Sequence, residues 1–233
     1  MYYLAGIHVS HTQTVEAIVA ASTVLTLTRL VKKQSKWFKV AENEGGKITD
    51  RSNTFMGRLV TRVHAYAIMA APLSYLAAVA SNKLVQPEWY TQTSLNSIRW
   101  ISDAVDDETR VVIRVAAAIG FIGSVWFHEV ILRELGKQFH FIAVRQNASV
   151  VSTGPYAVVR HPLYTTLLGQ LAIISAAYWS WIPLSPQRYP QFLGAFGYKM
   201  SLEERLMEED PTIRDAYRDY KKKVPYKIIP YIW

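Results

Sequence analysis

The chain has 233 residues, half of them hydrophobic, with seven Trp, fourteen Tyr and no Cys. The lack of Cys excludes a disulfide framework, thiolate metal sites and a cysteine nucleophile at once. A formal charge of +8 invites nucleic acid as a partner, but the Lys and Arg follow the loops between apolar runs and form no continuous stripe, which points to a membrane protein instead.

The predicted elements run as follows. Residues 9–30 form a first span, weakened by Glu16 and several Thr. Residues 41–53, AENEGGKITDRSN, read as a flexible polar loop. Residues 65–82 are uncharged, and Pro72 within them is a kink that a membrane helix tolerates. Residues 111–132 are apolar except for Arg114, His128 and Glu129. Residues 163–184 hold no charge over 22 positions, enough to cross a bilayer as a helix. Pro183, Ser185 and Pro186 then mark a turn. Residues 187–200 are short, carry Arg188 and Lys199, and are interrupted by Pro190; they read as the second arm of a helical hairpin. The final segment, from Ser201, has alternating charges and high helix propensity, with Pro211 splitting it into two helices outside the bilayer.

Loop charge orients these spans. Segment 29–62 carries Arg29, Lys32, Lys33, Lys36, Lys39, Lys47, Arg51, Arg58 and Arg62, whereas 86–110 gathers Glu88, Asp103, Asp106, Asp107 and Glu108. Segment 133–160 and the Lys221-Lys222-Lys223 tail are basic again. Positive loops stay in the cytosol, so these basic segments face it and the acidic one does not. The expected fold is all-α: a polytopic membrane protein with four to five transmembrane helices and a cytosolic C-terminal helical segment. The start of the chain lacks the pattern of a cleaved secretory leader.

Soluble-enzyme signatures are absent. No Gly-rich phosphate loop or dinucleotide fingerprint occurs, and HEVIL at 128–132 has Leu where a zinc protease needs its second His. What remains is TGPYAVVRHPLY, 153–164, at the threshold of the uncharged run. Pro162 suits the first turn of a helix. His161 then sits near the N-cap, with Tyr164 and Thr165 on its face and the first helix N–H groups open to an anion. An interfacial anchor explains Arg160 and His161 equally well from position alone. Lys199 and Glu203, spaced i, i+4, form a second constellation that the hairpin returns to the same side as His161.

RELGKQF (133–139), TGPYAVVRHPLY, the pair Glu203-Glu204 about forty residues later, and DYKKKVPYKIIPYI (219–232) together resemble the isoprenylcysteine carboxyl methyltransferases. That family lies within a wider group of small membrane methyltransferases that includes phospholipid N-methyltransferases. The resemblance covers about residues 110–233, which implies membrane spans and loops over 1–110 and a methyltransferase core over 111–233. It implies S-adenosylmethionine as cofactor, held by Gln146, Ala148, Ser149, Val150, Val151, Tyr156, His161, Pro162, Leu163, Tyr164 and Glu203. Lys199, where the family has an Arg, and Arg160 would orient the acceptor carboxylate; no metal is required. The implied acceptors are prenylated protein C-termini in the endoplasmic reticulum membrane, with the active site facing the cytosol. A small prenylated metabolite, a phospholipid, or a catalytically inactive adaptor are the alternatives.

Overall fold

A capping box opens the first long helix. Ser10 Oγ accepts from Gln13 N at 3.1 Å while Ser10 N donates to Gln13 Oε1 at 3.0 Å, so two otherwise orphaned donors are satisfied reciprocally. In this computed structural model the described residues are 2–4, 7–49, 69–90, 105–139, 144–178 and 189–232. Their regular secondary structure is helical apart from two very short antiparallel ladders, β1 (Tyr2–Leu4) with β2 (Ile7–Val9) and β3 (Ile48–Thr49) with β4 (Val144–Arg145). The helices are α1 (His11–Glu44), α2 (Met69–Ser81), α3 (Asp107–Leu135), α4 (Pro162–Tyr178), α5 (Tyr189–Glu209) and α6 (Arg214–Lys223).

Two of these expectations change. Helix α1 continues to Glu44, so residues 41–44 are helix where a loop was expected. Lys, Gln, Ala and Glu through this stretch are good helix formers, and burial of Ala41 against Leu132 and Phe139 adds a packed face. Gly45 ends the helix, and Gly46 follows with φ +74, the left-handed backbone that glycine favours at this position. Pro190 does not interrupt the return arm. It is the second residue of α5, where its missing N–H costs no intrahelical bond, and the arm and the Glu203-Glu204 segment are one continuous helix. Pro211 does split the C-terminal segment: α5 stops at Glu209, and Asp210 Oδ1 accepts from Thr212 N at 2.8 Å before α6 begins.

Helices α1 and α3 are long and apolar enough to cross a membrane, and α2 is a shorter apolar helix. Of the expected span 163–184, helix α4 accounts for residues up to Tyr178; 179–184 and the turn at Pro183, Ser185 and Pro186 lie outside the described residues. The same holds for 65–68, for Arg51, Arg58 and Arg62, for Arg99 and Asp103, and for Arg188.

The chain divides into two compact units that interleave along the sequence, whereas the sequence reading placed one boundary near residue 110. The first unit takes Met1–Thr28, Tyr66–Val125 and Gly169–Pro190; the second takes Arg29–Ala65, Trp126–Leu168 and Gln191–Trp233. In the first unit Val15 and Val19, Tyr75 and Val79, Ala118 and Phe121 bury the inner stripes of α1, α2 and α3 at helical spacing. The same core encloses an ion pair, Arg114 with Glu16, at 2.6 and 2.9 Å. Tyr75 donates to Glu16 at 2.6 Å, and the Tyr75 ring stacks on Tyr178 with centroids 4.2 Å apart. The second unit holds three smaller clusters: Ala41 with Leu132 and Phe139, Leu206 with Ile213, and Tyr217 with Tyr220 and Val224. Lys33 pairs with Glu129 there at 2.5 Å.

Candidate functional site

The sequence Thr153-Gly154-Pro155 forms a 3-10 turn because Gly154 adopts φ +55 and Pro155 fixes the next φ. Thr153 Oγ1 donates to Glu134 in the last turn of α3, and a Cβ at Gly154 would lie 3.1 Å from the Glu134 carboxyl carbon. A side chain there would require Glu134 to shift by a few tenths of an ångström. Two separate motifs of the sequence, RELGKQF and TGPYAVVRHPLY, thus meet at Glu134.

From this turn the chain runs to α4, which begins at Pro162 as its φ restriction favours. Beside it the segment after α6 lies as a strap: Arg160 N donates to Tyr226 O at 2.9 Å, His161 N to Lys227 O at 2.8 Å, and Thr165 Oγ1 to Ile228 O at 2.7 Å. Tyr156 is buried, and its carbonyl accepts from Tyr220 Oη at 2.7 Å. Burial, aided by the negative charge of Glu203, pushes the Tyr156 phenol well above its ordinary value, so it is a neutral donor at every working pH.

Glu204 on α5 is the hub. Its Oε1 accepts from Arg160 Nε at 2.9 Å and lies 3.1 Å from His161 Nε2, while Oε2 stands 3.7 Å from both Lys221 and Lys227. Arg160 Nη1 also donates to the carbonyls of Val224 and Pro225, at 2.8 and 2.6 Å. Burial works to raise the Glu204 pKa, but the hydrogen bonds and charges of His161 and Arg160 prevail and hold it down at about 2. Glu203, one residue earlier, faces differently. It accepts from Tyr164 Oη at 2.7 Å, and its other oxygen lies 3.6 Å from His161 Nδ1. Lys199, one helical turn before Glu203, is buried with its ammonium 5.6 Å from the Tyr164 ring centroid, and Phe196 meets the same ring edge-on. A cation over an aromatic face is stabilised by the ring quadrupole, more so when desolvated.

Both ring nitrogens of His161 therefore face carboxylates. Burial favours the neutral ring, yet the hydrogen bonds to Glu203 and Glu204 outweigh it and raise the pKa above 6.5. His161, which the resemblance implies as a cofactor contact, is sandwiched between two of the protein's own carboxylates. What the cluster presents is a carboxylate, Glu203, an aromatic face, Tyr164, and a cation held by no ion pair among the described residues, Lys199.

The structure thus brings Arg160, His161, Tyr164, Lys199 and Glu203 together, with Tyr156 close enough for Glu203 to act on its pKa. Pro162 and Leu163 open α4 beside them. Arg160 is committed to Glu204 and to the strap, which makes it a positioning residue. Ala148 and Val150 pack against Leu206 and Ile213, and Val150 also lines an open cleft of about 450 Å³ with Ser152, Ala157, Tyr220 and Lys223. Val151 is half-buried; Gln146 and Ser149 are exposed, and Gln146 N donates to Lys47 O at 3.0 Å. Sequence reasoning missed Glu134, Arg145, Lys227 and the strap carbonyls. Arg145, 3% exposed, ties Phe139 O to Gly46 O.

These shifts set a pH window. The raised pKa of His161 contributes stability that is complete below 6.5 and lost as pH rises through the folded value. The depressed pKa of Glu204 contributes stability that is complete above 4.5 and lost as pH falls toward about 2. Thermal unfolding in detergent should therefore be latest between these bounds, and His161→Gln should flatten the decline on the alkaline side.

No protein-family model matches the chain, and no curated protein matches it significantly.

Proposed function

We propose that the chain is an integral-membrane methyltransferase that uses S-adenosylmethionine to methylate the C-terminal carboxylate of S-prenylcysteine. One observation carries this reading: His161 and Tyr164 of RHPLY, Glu203 of the acidic pair and Lys199 form a single buried cluster although nearly forty residues separate them in sequence. Lys199 lies over the Tyr164 ring and Glu203 accepts from its hydroxyl, so a cation and an anion share one aromatic ring, which suits a reaction between an anion and a sulfonium.

The donor set fits the cofactor. A carboxylate beside an aromatic face suits its cationic groups, so Glu203, Tyr164 and Tyr156 would hold it, with His161 fixing Glu203 in place; the loop 146–151 would add contacts. When bound, the cofactor supplies a methyl group on a positively charged sulfur. A prenylcysteine carboxylate is already ionised at neutral pH and needs no general base. Lys199 would orient that carboxylate, and exclusion of water with alignment would supply most of the acceleration. The polar cofactor and the apolar prenyl chain would meet at the membrane boundary. Four to five spans, an endoplasmic reticulum location and a cytosol-facing site follow from the loop charges and the resemblance.

Membranes containing the protein, given labelled S-adenosylmethionine and N-acetyl-S-farnesylcysteine, should yield a base-labile methyl ester. Lys199→Met should lower turnover by about a hundredfold, the scale of losing one electrostatic contact to the reacting group, while Lys199→Arg retains most of it. Label in the lipid extract with no ester would assign the acceptor to a phospholipid or small prenylated lipid. Cofactor binding without transfer would favour an inactive adaptor. Full activity in His161→Ala would sink the site assignment.

A further inference from the structure

The last twelve described residues combine two features that oppose each other in water. Residues 221–232 contain four Lys and no acid, and they also hold out large apolar side chains: Tyr231 is 87% exposed, Ile232 78% and Ile229 42%. An unstructured tail would explain such exposure without further meaning, but this segment is pinned. Its carbonyls at Val224, Pro225, Tyr226, Lys227 and Ile228 accept from Arg160, His161 and Thr165, and Ile228 is fully buried. The turn beyond is also fixed. Ile232 N donates to Ile229 O at 3.2 Å, Tyr231 adopts φ +65, a region that disfavours a bulky residue, and its ring meets Tyr226 at 5.1 Å. The fold therefore holds these apolar side chains outward.

The lysines divide into two sets. Lys221 and Lys227 turn inward to Glu204. Lys222, paired with Asp219 at 2.8 Å yet with 77% of its side chain exposed, and the exposed Lys223 close α6 just before the strap. Exposed aromatic and aliphatic side chains in one short segment with exposed lysines match the headgroup layer of a bilayer, where rings and methyls sit below the phosphates and cations at them.

We infer that the turn 229–232, with Lys222 and Lys223, is an interfacial anchor that seats on anionic lipid headgroups and so holds the strap that accepts from Arg160 and His161. The anchor depends on the membrane placement proposed above and not on methyl transfer. Its consequence is that lipid charge acts on the site: the strap that the anchor holds is the same one whose carbonyls receive Arg160, His161 and Thr165.

The chain has no Cys, so Ile232→Cys in the full-length protein gives a unique labelling position. A nitroxide there, in nanodiscs of phosphatidylcholine alone or with a third phosphatidylglycerol, reports immersion through its accessibility to oxygen against a water-soluble nickel complex. The anionic discs should immerse the label, and Lys222→Gln with Lys223→Gln should reverse this, each lysine shifting the immersed-to-free ratio roughly fivefold. A label that stays water-accessible in both discs would overturn the anchor and leave the patch to a protein partner. Equal immersion in both discs, unaffected by the lysine changes, would overturn the anionic specificity. A chain that enters neither disc would overturn the membrane placement and the anchor together.

Discussion

Glu204→Gln should lower the stability of the protein by about 3–5 kcal/mol, the usual cost of removing one partner from a buried ion pair. The carboxylate is almost wholly enclosed, and it faces the buried Arg160 guanidinium at 2.9 Å and the His161 ring at 3.1 Å. With an amide in its place, Arg160 keeps only carbonyl acceptors and its charge is left uncompensated. Glu203→Gln should behave in the opposite way. Glu203 is held by Tyr164 and lies beside His161, and an amide oxygen still accepts from Tyr164, so thermal unfolding should move little. Cofactor binding and turnover should instead fall, because the site loses the carboxylate that faces Tyr164. Unfolding curves and cofactor titrations on both variants separate the roles. A Glu204→Gln protein as stable as the parent would remove Glu204 from the centre of the fold. A Glu203→Gln protein with undiminished cofactor affinity would remove Glu203 from the binding site.

The adjacent glutamates show how far sequence reaches. Pro162 as a helix start, Pro211 as a break and the return of Glu203 toward His161 were legible, because proline chemistry and helical spacing are local and the charged tail demanded a return. That Glu204 is the structural member of the pair was not. Its role rests on Arg160, forty-four residues earlier, and on a strap of backbone carbonyls, which carry no side-chain identity for a pattern to detect. The same limit hid Glu134, whose partner is a threonine hydroxyl at a loop. Pro190 misled for a different reason. Position within a helix decides whether proline breaks or begins it, and an arm taken to start at 187 put Pro190 inside it, whereas α5 runs from Tyr189. Arg160 was read as a group presented to substrate, but a guanidinium has five donors and the strap takes several of them.

In the first unit, two residues that marked the predicted spans as imperfect explain each other. Glu16 weakens the first apolar run and Arg114 interrupts the third, yet they form a bidentate pair at 2.6 and 2.9 Å. Arg114 Nε also donates to Ala177 O at 2.9 Å, and Tyr75 Oη donates to Glu16 at 2.6 Å. Arg114→Ala or Glu16→Ala should each cost about 3–5 kcal/mol, since each leaves one charge in apolar surroundings without its partner. Replacing the whole network by apolar groups of similar volume should not. The triple change Glu16→Leu, Tyr75→Phe, Arg114→Met removes both charges and the hydroxyl that would otherwise be orphaned, at the loss of the bond to the Ala177 carbonyl. Its unfolding temperature should return to the parent value or exceed it, a non-additivity expected of residues in direct contact. Turnover distinguishes scaffold from function here. A stable triple variant that methylates normally makes the pair a device for locking α1 to α3 in one register. A stable triple variant without turnover would show that the buried charges serve the reaction, and would move the search for acceptor contacts into this unit.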